Sequence, residues 1–402
     1  MTSTNWRTPV VVILAGCLIS VLGFGIRSAL GLFLEPMTAT HGWSREAFGL
    51  GMALQNLLWG VALPFAGALC DKYGSTKVIM FGAIAYAVGL LGMASSNSPI
   101  VFQLTGGILS GIGIAFSAFT LAMAAMVRVV GPERRSFILG LGTAAGSFGQ
   151  VIFSPISQGF IEAYGWYASL LILAGIVLII IPMALCLPRG PASQKEKKEV
   201  EQTLKQALTE ALSHRGYVLL TLGFFVCGFH VAFIGIHFPA YIRDLGLPGS
   251  VGAYCIALIG LMNIVGSFAS GMAGQKWSKK YGLSFIYFAR SLVILALLFS
   301  AKTEFSLYLF AGAMGLLWLS TVPLTTGIVA QVFGVQYMAT LFGIVFLSHQ
   351  IGSFLGVWLG GVIYDQTGSY DGMWWAGVVV GLLSALIHLP INEKPLSRLA
   401  ET

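Results

Sequence analysis

The sequence predicts an all-α membrane protein of twelve transmembrane helices arranged as two six-helix halves. Three observations lead there. Of 402 residues, 56% are apolar and only 9% charged, against about a quarter charged in soluble domains. Most of the surface therefore has to face lipid. Apolar runs of the roughly 20 residues that cross a bilayer core as helix occur twelve times. Short sequences from the first six runs also return in the last six at a near-constant offset.

The predicted helices run over 9–33, 47–69, 77–95, 100–127, 136–160 and 166–187 in the first half. In the second they run over 217–242, 252–274, 284–301, 305–330, 339–364 and 371–390. The first is preceded only by Arg7, lacks a small-x-small cleavage site and has eleven similar runs after it. It reads as a retained helix and not as a signal peptide. Residues 188–215 carry the one dense charge run, Gln194 to Glu201, of mixed sign and helix-forming composition. That segment reads as a solvated, partly helical cytoplasmic linker between the halves 1–187 and 216–402.

The repeat supports this division. Lys72-Tyr73-Gly74 after the second helix returns as Lys280-Tyr281-Gly282 after the eighth, 208 positions on. Gly146-Ser147-Phe148 in the fifth returns as Gly352-Ser353-Phe354 in the eleventh, 206 positions on. Parallel repeats of this kind place a substrate cavity near the bilayer midplane.

Orientation follows from the basic residues. With the N-terminus inside, 17 of the 22 lysines and arginines fall in cytoplasmic segments. Three, Arg45, Arg243 and Lys302, fall outside; Arg27 and Arg290 lie within helices. This asymmetry puts both termini in the cytoplasm. It also accounts for the net charge of +7 without nucleic acid as a partner, since the charges sit in short connections. The five cysteines lie in or beside apolar runs with no metal-ligand spacing, so no disulfide framework and no metal site are expected. With no nucleotide loop and no nucleophile-and-base arrangement, neither an enzyme nor a cofactor is expected.

The loop after the second helix reads Gly67-Ala68-Leu69-Cys70-Asp71-Lys72-Tyr73-Gly74-Ser75-Thr76-Lys77. It resembles the signature loop of the major facilitator superfamily, and the resemblance implies that superfamily's fold. In such a loop Asp71, with Lys72 and Lys77, can hold a cytoplasmic gate shut through charged hydrogen bonds. The second copy has Gln275 in place of the acid, which implies a weaker gate. Within the superfamily the chain most resembles monocarboxylate porters. Arg27 through Phe33 into Glu35, the Arg134-Arg135 pair opening the fifth helix, and Leu359 through Gly368 carry that likeness. Two departures stand out. Only Trp6 remains of the family's tryptophan-rich entry motif, and Asn263 and Ser267 occupy the positions of the family's Asp and Arg on the eighth helix.

None of the 15 acidic residues lies mid-helix, whereas Arg27, Arg290, His230, His237, His349 and His388 lie inside or near the inner face. An unpaired charge deep in lipid costs about 3 kcal/mol or more. A cationic interior without carboxylates points to a substrate that supplies the negative charge. Arg27 is the leading candidate because a guanidinium grips a carboxylate with two hydrogen bonds; the alternative is snorkelling to the outer interface. His230 and His237 share a face of the seventh helix, and each either meets substrate or proton or is satisfied by a backbone carbonyl. His349, Asn263 and Gln150 complete the substrate-binding candidates, while Arg290 reads as structural or snorkelling. The expectation is a monomeric secondary transporter of a small organic anion, a monocarboxylate, coupled to protons. It would sit in the cell membrane, the inner membrane of a bacterium. Anion exchange or hydrophobic-compound efflux on the same fold, or a transceptor without transport, are the alternatives.

Overall fold

A computed structural model describes residues 7–131, 134–188, 202–334 and 336–396, and the described residues form helices and no strand. Helix α1 spans Pro9–His41, α2 Arg45–Tyr73, α3 Ser75–Ala94 and α4 Pro99–Val127. Helices α5 and α6 are the two arms of Phe137–Leu185, parted at Gly165, whose φ of 76° only glycine adopts freely. The second half holds α7 (Arg215–Asp244), α8 (Gly249–Lys276), α9 (Lys279–Phe299), α10 (Glu304–Phe333), α11 (Met338–Thr367) and α12 (Asp371–His388). Twelve spans result, in two sets of six. Of the predicted linker, 189–201 lie outside the described residues; Leu204–Ser213 is a short helix opened by a Thr203–Gln206 capping box. The end of the bundle carrying that helix is here the linker end, and the opposite one the far end.

Helix starts and stops follow local chemistry. The Thr8 hydroxyl caps α1 by accepting from Val11 N, with Pro9 in the first turn, and Ser44 caps α2 by accepting from Ala47 N. Past Ser28, α1 tightens into a 3-10 turn, Leu30–Phe33, and resumes as Leu34–His41. It is therefore longer than the 9–33 of the hydropathy reading. Leu30, Phe33, Leu34 and Met37 are fully buried, and their packing carries the helix through a stretch whose Glu35, Pro36 and His41 mask it in the sequence. Both α4 and α10 break at matching places, between Phe116 and Phe119 and between Leu317 and Thr321.

Small residues set the packing. A Cβ on Gly25 of α1 would stand 2.6 Å from the Gly149 carbonyl of α5, and one on Gly356 of α11 would stand 2.5 Å from the Phe229 carbonyl of α7. A Cβ on Gly146 of the repeated tripeptide would meet only the Phe24 side chain, at 3.6 Å, whereas one on Gly352 would run into the Phe225 carbonyl of α7, so the close backbone approach at the repeat belongs to the second half.

The halves meet along two seams, α2 with α11 and α5 with α8. At the far end they are latched. Arg45 of α2 grips the Asp244 carboxylate of α7 with two hydrogen bonds of 2.7 and 2.6 Å and donates to the Tyr370 hydroxyl at 2.9 Å. Asp365 of α11 accepts from the first amides of α2, Arg45 N at 3.0 Å and Glu46 N at 2.7 Å, where the helix dipole favours an anion. Trp358 Nε1 donates to Glu46 at 3.2 Å, and Arg243 pairs with Glu35 at 3.2 Å. Close contacts across the seams run from the far end inward as far as Gly60 against Gln350 on one seam and Ser147 against Asn263 on the other.

Candidate functional site

Arg27 stands fourteen residues before the end of α1 at His41, about 21 Å at 1.5 Å per residue, and eight residues before Glu35, which pairs with Arg243 at the far end. One Nη donates to Asn56 Oδ1 of α2. The guanidinium carbon sits 4.5 Å from the centre of the Trp59 ring and 5.9 Å from that of Phe24, a cation–π cradle. Among the described residues no carboxylate pairs with it, and its Nε is buried without a hydrogen-bond partner. A guanidinium stays charged under all ordinary conditions. Here, then, is a fixed positive charge with a donor to spare.

The network continues into the second half. The backbone carbonyl of Asn56 accepts from Gln350 Nε2 of α11 at 2.8 Å, and Gln350 Oε1 lies 2.9 Å from His349 Nδ1. Phe346 stacks on His349 with ring centres 5.6 Å apart and meets Trp59 edge-on at 5.5 Å. Arg27, Asn56 and Trp59 from one half thus face Phe346, His349 and Gln350 from the other. Of the residues singled out in the sequence, the structure brings Arg27 and His349 into this one assembly.

The remaining candidates are placed elsewhere. Gln150 Nε2 donates across the α5–α8 seam to the Ile256 carbonyl at 2.9 Å, and Asn263 Nδ2 donates to Ser147 Oγ at 2.9 Å. Asn263 Oδ1 also accepts from Leu319 N at 2.9 Å, inside the α10 break. Both residues stitch the halves. The two histidines of α7 are not brought to Arg27. His230 Nε2 lies 2.8 Å from the Gly377 carbonyl of α12. His237 bridges the Val357 carbonyl at 2.8 Å and the Tyr370 hydroxyl at 3.0 Å, behind the far-end latch. Arg290 is fully buried, not interfacial, and His388 is fully buried against Tyr287, ring centres 5.1 Å apart.

Asp71, Lys72 and Lys77 are exposed around the α2–α3 turn at the linker end, where Gly74 takes a φ of 86°. In the matching loop of the second half, Glu393 supplies the carboxylate that Gln275 does not, accepting from Ser278 Oγ at 2.6 Å and Lys280 N at 2.8 Å. Asn56, Trp59 and Phe346 had no place in the sequence reading. An amide in the middle of an apolar span was available as a signal for Asn56 and Gln350, and Trp59 lies one turn beyond Asn56.

The family model for the Major Facilitator Superfamily matches residues 15–344. The chain belongs to this superfamily. It is a multi-pass membrane protein of a transporter family. Among relatives in the superfamily, the Bacillus subtilis protein named uncharacterized MFS-type transporter YcxA is 24% identical over 371 residues, 90% of each chain. Monocarboxylate transporter 13 of Rattus norvegicus is 26% identical over 367 residues, covering 89% of this chain and 82% of its own length. Solved superfamily structures share the fold. The xylose transporter XylE from E. coli, in an inward-open conformation, superposes with a TM-score of 0.74 at 14% identity, covering 95% of this chain and 96% of its own. A point mutant of the nucleoside transporter NupG gives 0.76 at 13% identity over 94% and 99%.

Proposed function

We propose that this protein moves a small organic anion, a monocarboxylate, across the cell membrane by alternating access, with a proton as the coupling ion. The observation that carries the reading is Arg27, a deep guanidinium that no carboxylate among the described residues pairs with and whose Nε has no hydrogen-bond partner. Burying such a charge without a counter-ion is costly, and a carboxylate arriving with the substrate offsets that cost. The relatives named monocarboxylate transporters support the same substrate class. His349 is the histidine in position to respond to the anion, through Gln350 and Asn56. The latched far end corresponds to one of two access states, with 1–187 and 216–402 as the rocking halves and 188–215 as their tether. Asp71, Lys72 and Lys77 would close the linker end in the other state. The site is formed within one chain, so a monomer suffices.

The test is binding by purified Arg27→Gln and Arg27→Lys variants. Arg27→Gln loses a charge-assisted hydrogen bond of about 1.5–3 kcal/mol, expected to weaken a bound monocarboxylate roughly 10- to 150-fold. Arg27→Lys is expected to fall between, keeping a point charge without the fork. Unchanged affinity in a folded Arg27→Gln protein would refute the anion site.

A further inference from the structure

Hydrogen-bond directions at the far-end latch fix the protonation of one histidine. His237 of α7 is fully buried. Its Nε2 lies 2.8 Å from the Val357 carbonyl, which can only accept, so Nε2 carries a proton. Its Nδ1 lies 3.0 Å from the Tyr370 hydroxyl, whose oxygen also accepts from Arg45 Nη1 at 2.9 Å. The hydroxyl therefore gives its single proton to Nδ1, and the ring is neutral. A second proton on the ring would have to point at the same oxygen. The hydroxyl would then lose the acceptor for its own proton, and an imidazolium and a guanidinium would share one oxygen away from water. The surrounding carboxylates are already committed. Asp244 of α7 holds the Arg45 fork, Asp365 of α11 accepts from Arg45 N and Glu46 N, and Glu46 of α2 accepts from Trp358 Nε1. Arg243 pairs with Glu35 of α1, and the Tyr241 and Tyr364 rings pack on Tyr370 at 6.4 and 4.7 Å.

The parts of this cluster are divided between the halves. His237, Val357, Tyr370, Asp244 and Asp365 belong to the second half, whereas Arg45 and the amides that hold Asp365 belong to the first. Parting the far end takes away one guanidinium and one helix N-terminus together. Asp244 and Asp365 are left without those partners, and the Tyr370 oxygen is freed from Arg45. A doubly protonated His237 then has an acceptor for its second N–H, and the Tyr370 hydroxyl can turn its own proton to water. The charge that the second half has lost is one that a proton can restore. We propose that His237 is a proton site of the far-end-open state, filled from the far-side solution as Arg45 withdraws and emptied as Arg45 returns. Proton and latch thus exclude one another. This rests on the alternating access proposed above and not on the anion at Arg27.

The state that binds more protons gains as pH falls, so acid should open the far end. Spin labels at Ala39 and Pro248, exposed one on each half, would report this by electron–electron resonance on the full chain in nanodiscs, with the native cysteines replaced. The range is about pH 8 to about pH 5, where a solvated imidazole titrates. The ratio of long to short distances in the otherwise native protein should rise as pH falls, by at most about tenfold per pH unit for one proton. His237→Gln keeps an N–H for Val357 and an oxygen for Tyr370 but takes no proton, and its ratio should not change with pH. Asp244→Asn breaks the latch directly and should lengthen the distances throughout. Nitrogen-15 spectra of labelled histidines give a second measurement that needs no histidine variant: one ring should gain its proton in step with the long-distance population. A distribution that ignores pH, a response that folded His237→Gln retains, or a ring titration out of step with the distances overturns the proton site. If Asp244→Asn still lengthens the distances, alternating access stands without it. If neither pH nor Asp244→Asn moves them, the access reading falls as well.

Discussion

Two guanidinium groups lie deep in this bundle, and each leaves one buried nitrogen without a partner, Arg27 Nε and Arg290 Nη1. They differ in what the rest of the fork does. Arg290 of α9 is turned into its own half, where the α10 break frees backbone carbonyls. Its Nη2 donates to the carbonyls of Leu317, at 2.7 Å, and Trp318, and lies 3.6 Å from Cys227 Sγ; its Nε also reaches Leu317 O at 3.2 Å. Arg290 acts as a remote cap for a broken helix. Arg290→Met would leave those carbonyls unpaired while recovering the desolvation of a buried charge, so the net loss is expected at about 1–3 kcal/mol. It should appear as a lower thermal unfolding midpoint in detergent with ligand affinity of the folded protein retained. An unchanged midpoint would show that the cap contributes nothing. The sequence revealed that both arginines are intramembrane, because hydropathy alone shows it. Their division of labour was not legible: Asn56 is 29 positions from Arg27, and the break at Trp318 has no motif. The same holds for His230 and His237, which look equivalent on one helix face. Their partners Gly377, Val357 and Tyr370 lie 120 to 147 positions away.

At the scale of helices, the two ends of the seams are built from different materials. The far end is closed by the bidentate Arg45–Asp244 pair, with Arg45 stacked 3.7 Å from the Tyr364 ring centre. The linker end carries the exposed Asp71 loop. Opposite mutations should therefore bias the states oppositely. Asp244→Asn removes a partly exposed ion pair of about 1 kcal/mol and should favour far-end opening roughly fivefold. Spin labels at Ala39 and Pro248 would report it as a longer distance population, and an unaltered distribution would rule the latch out. Asp71→Asn should slow transport while sparing equilibrium binding; equal loss of both would mean that Asp71 serves folding. The number of helices was legible from apolar length, and the α5–α6 boundary at Gly165 fell where the sequence put it. The continuation of α1 to His41 was not, because tertiary burial of Leu34 and Met37 overrides a locally polar stretch. That extension moved Arg27 from about 9 Å to about 21 Å from the helix end, and so changed the weight of the anion hypothesis.

For the whole molecule, the charge asymmetry is sharper in three dimensions than in the sequence. All three basic residues assigned to the far end are occupied. Arg45 holds Asp244, Arg243 holds Glu35, and Lys302 Nζ donates to the carbonyls of Leu297, Leu298 and Ser300 at 2.6 to 3.0 Å. At the linker end Lys72, Lys77, Lys205, Arg215, Lys276 and Lys394 are exposed. Topology is set by lysines and arginines in short loops near the spans, and 17 against three predicts that the linker end lies in the cytoplasm. Single cysteines at Asn97, in the exposed far-end turn before α4, and at Pro395, exposed at the linker end, test it in a background with the five native cysteines replaced. A membrane-impermeant maleimide should label Asn97→Cys in intact cells and Pro395→Cys only after permeabilisation, with the order reversed in everted vesicles. Labelling of Pro395→Cys from outside would invert the molecule. Arg27 would then be reached through the opposite compartment, and the latch at Arg45–Asp244 would become a cytoplasmic gate.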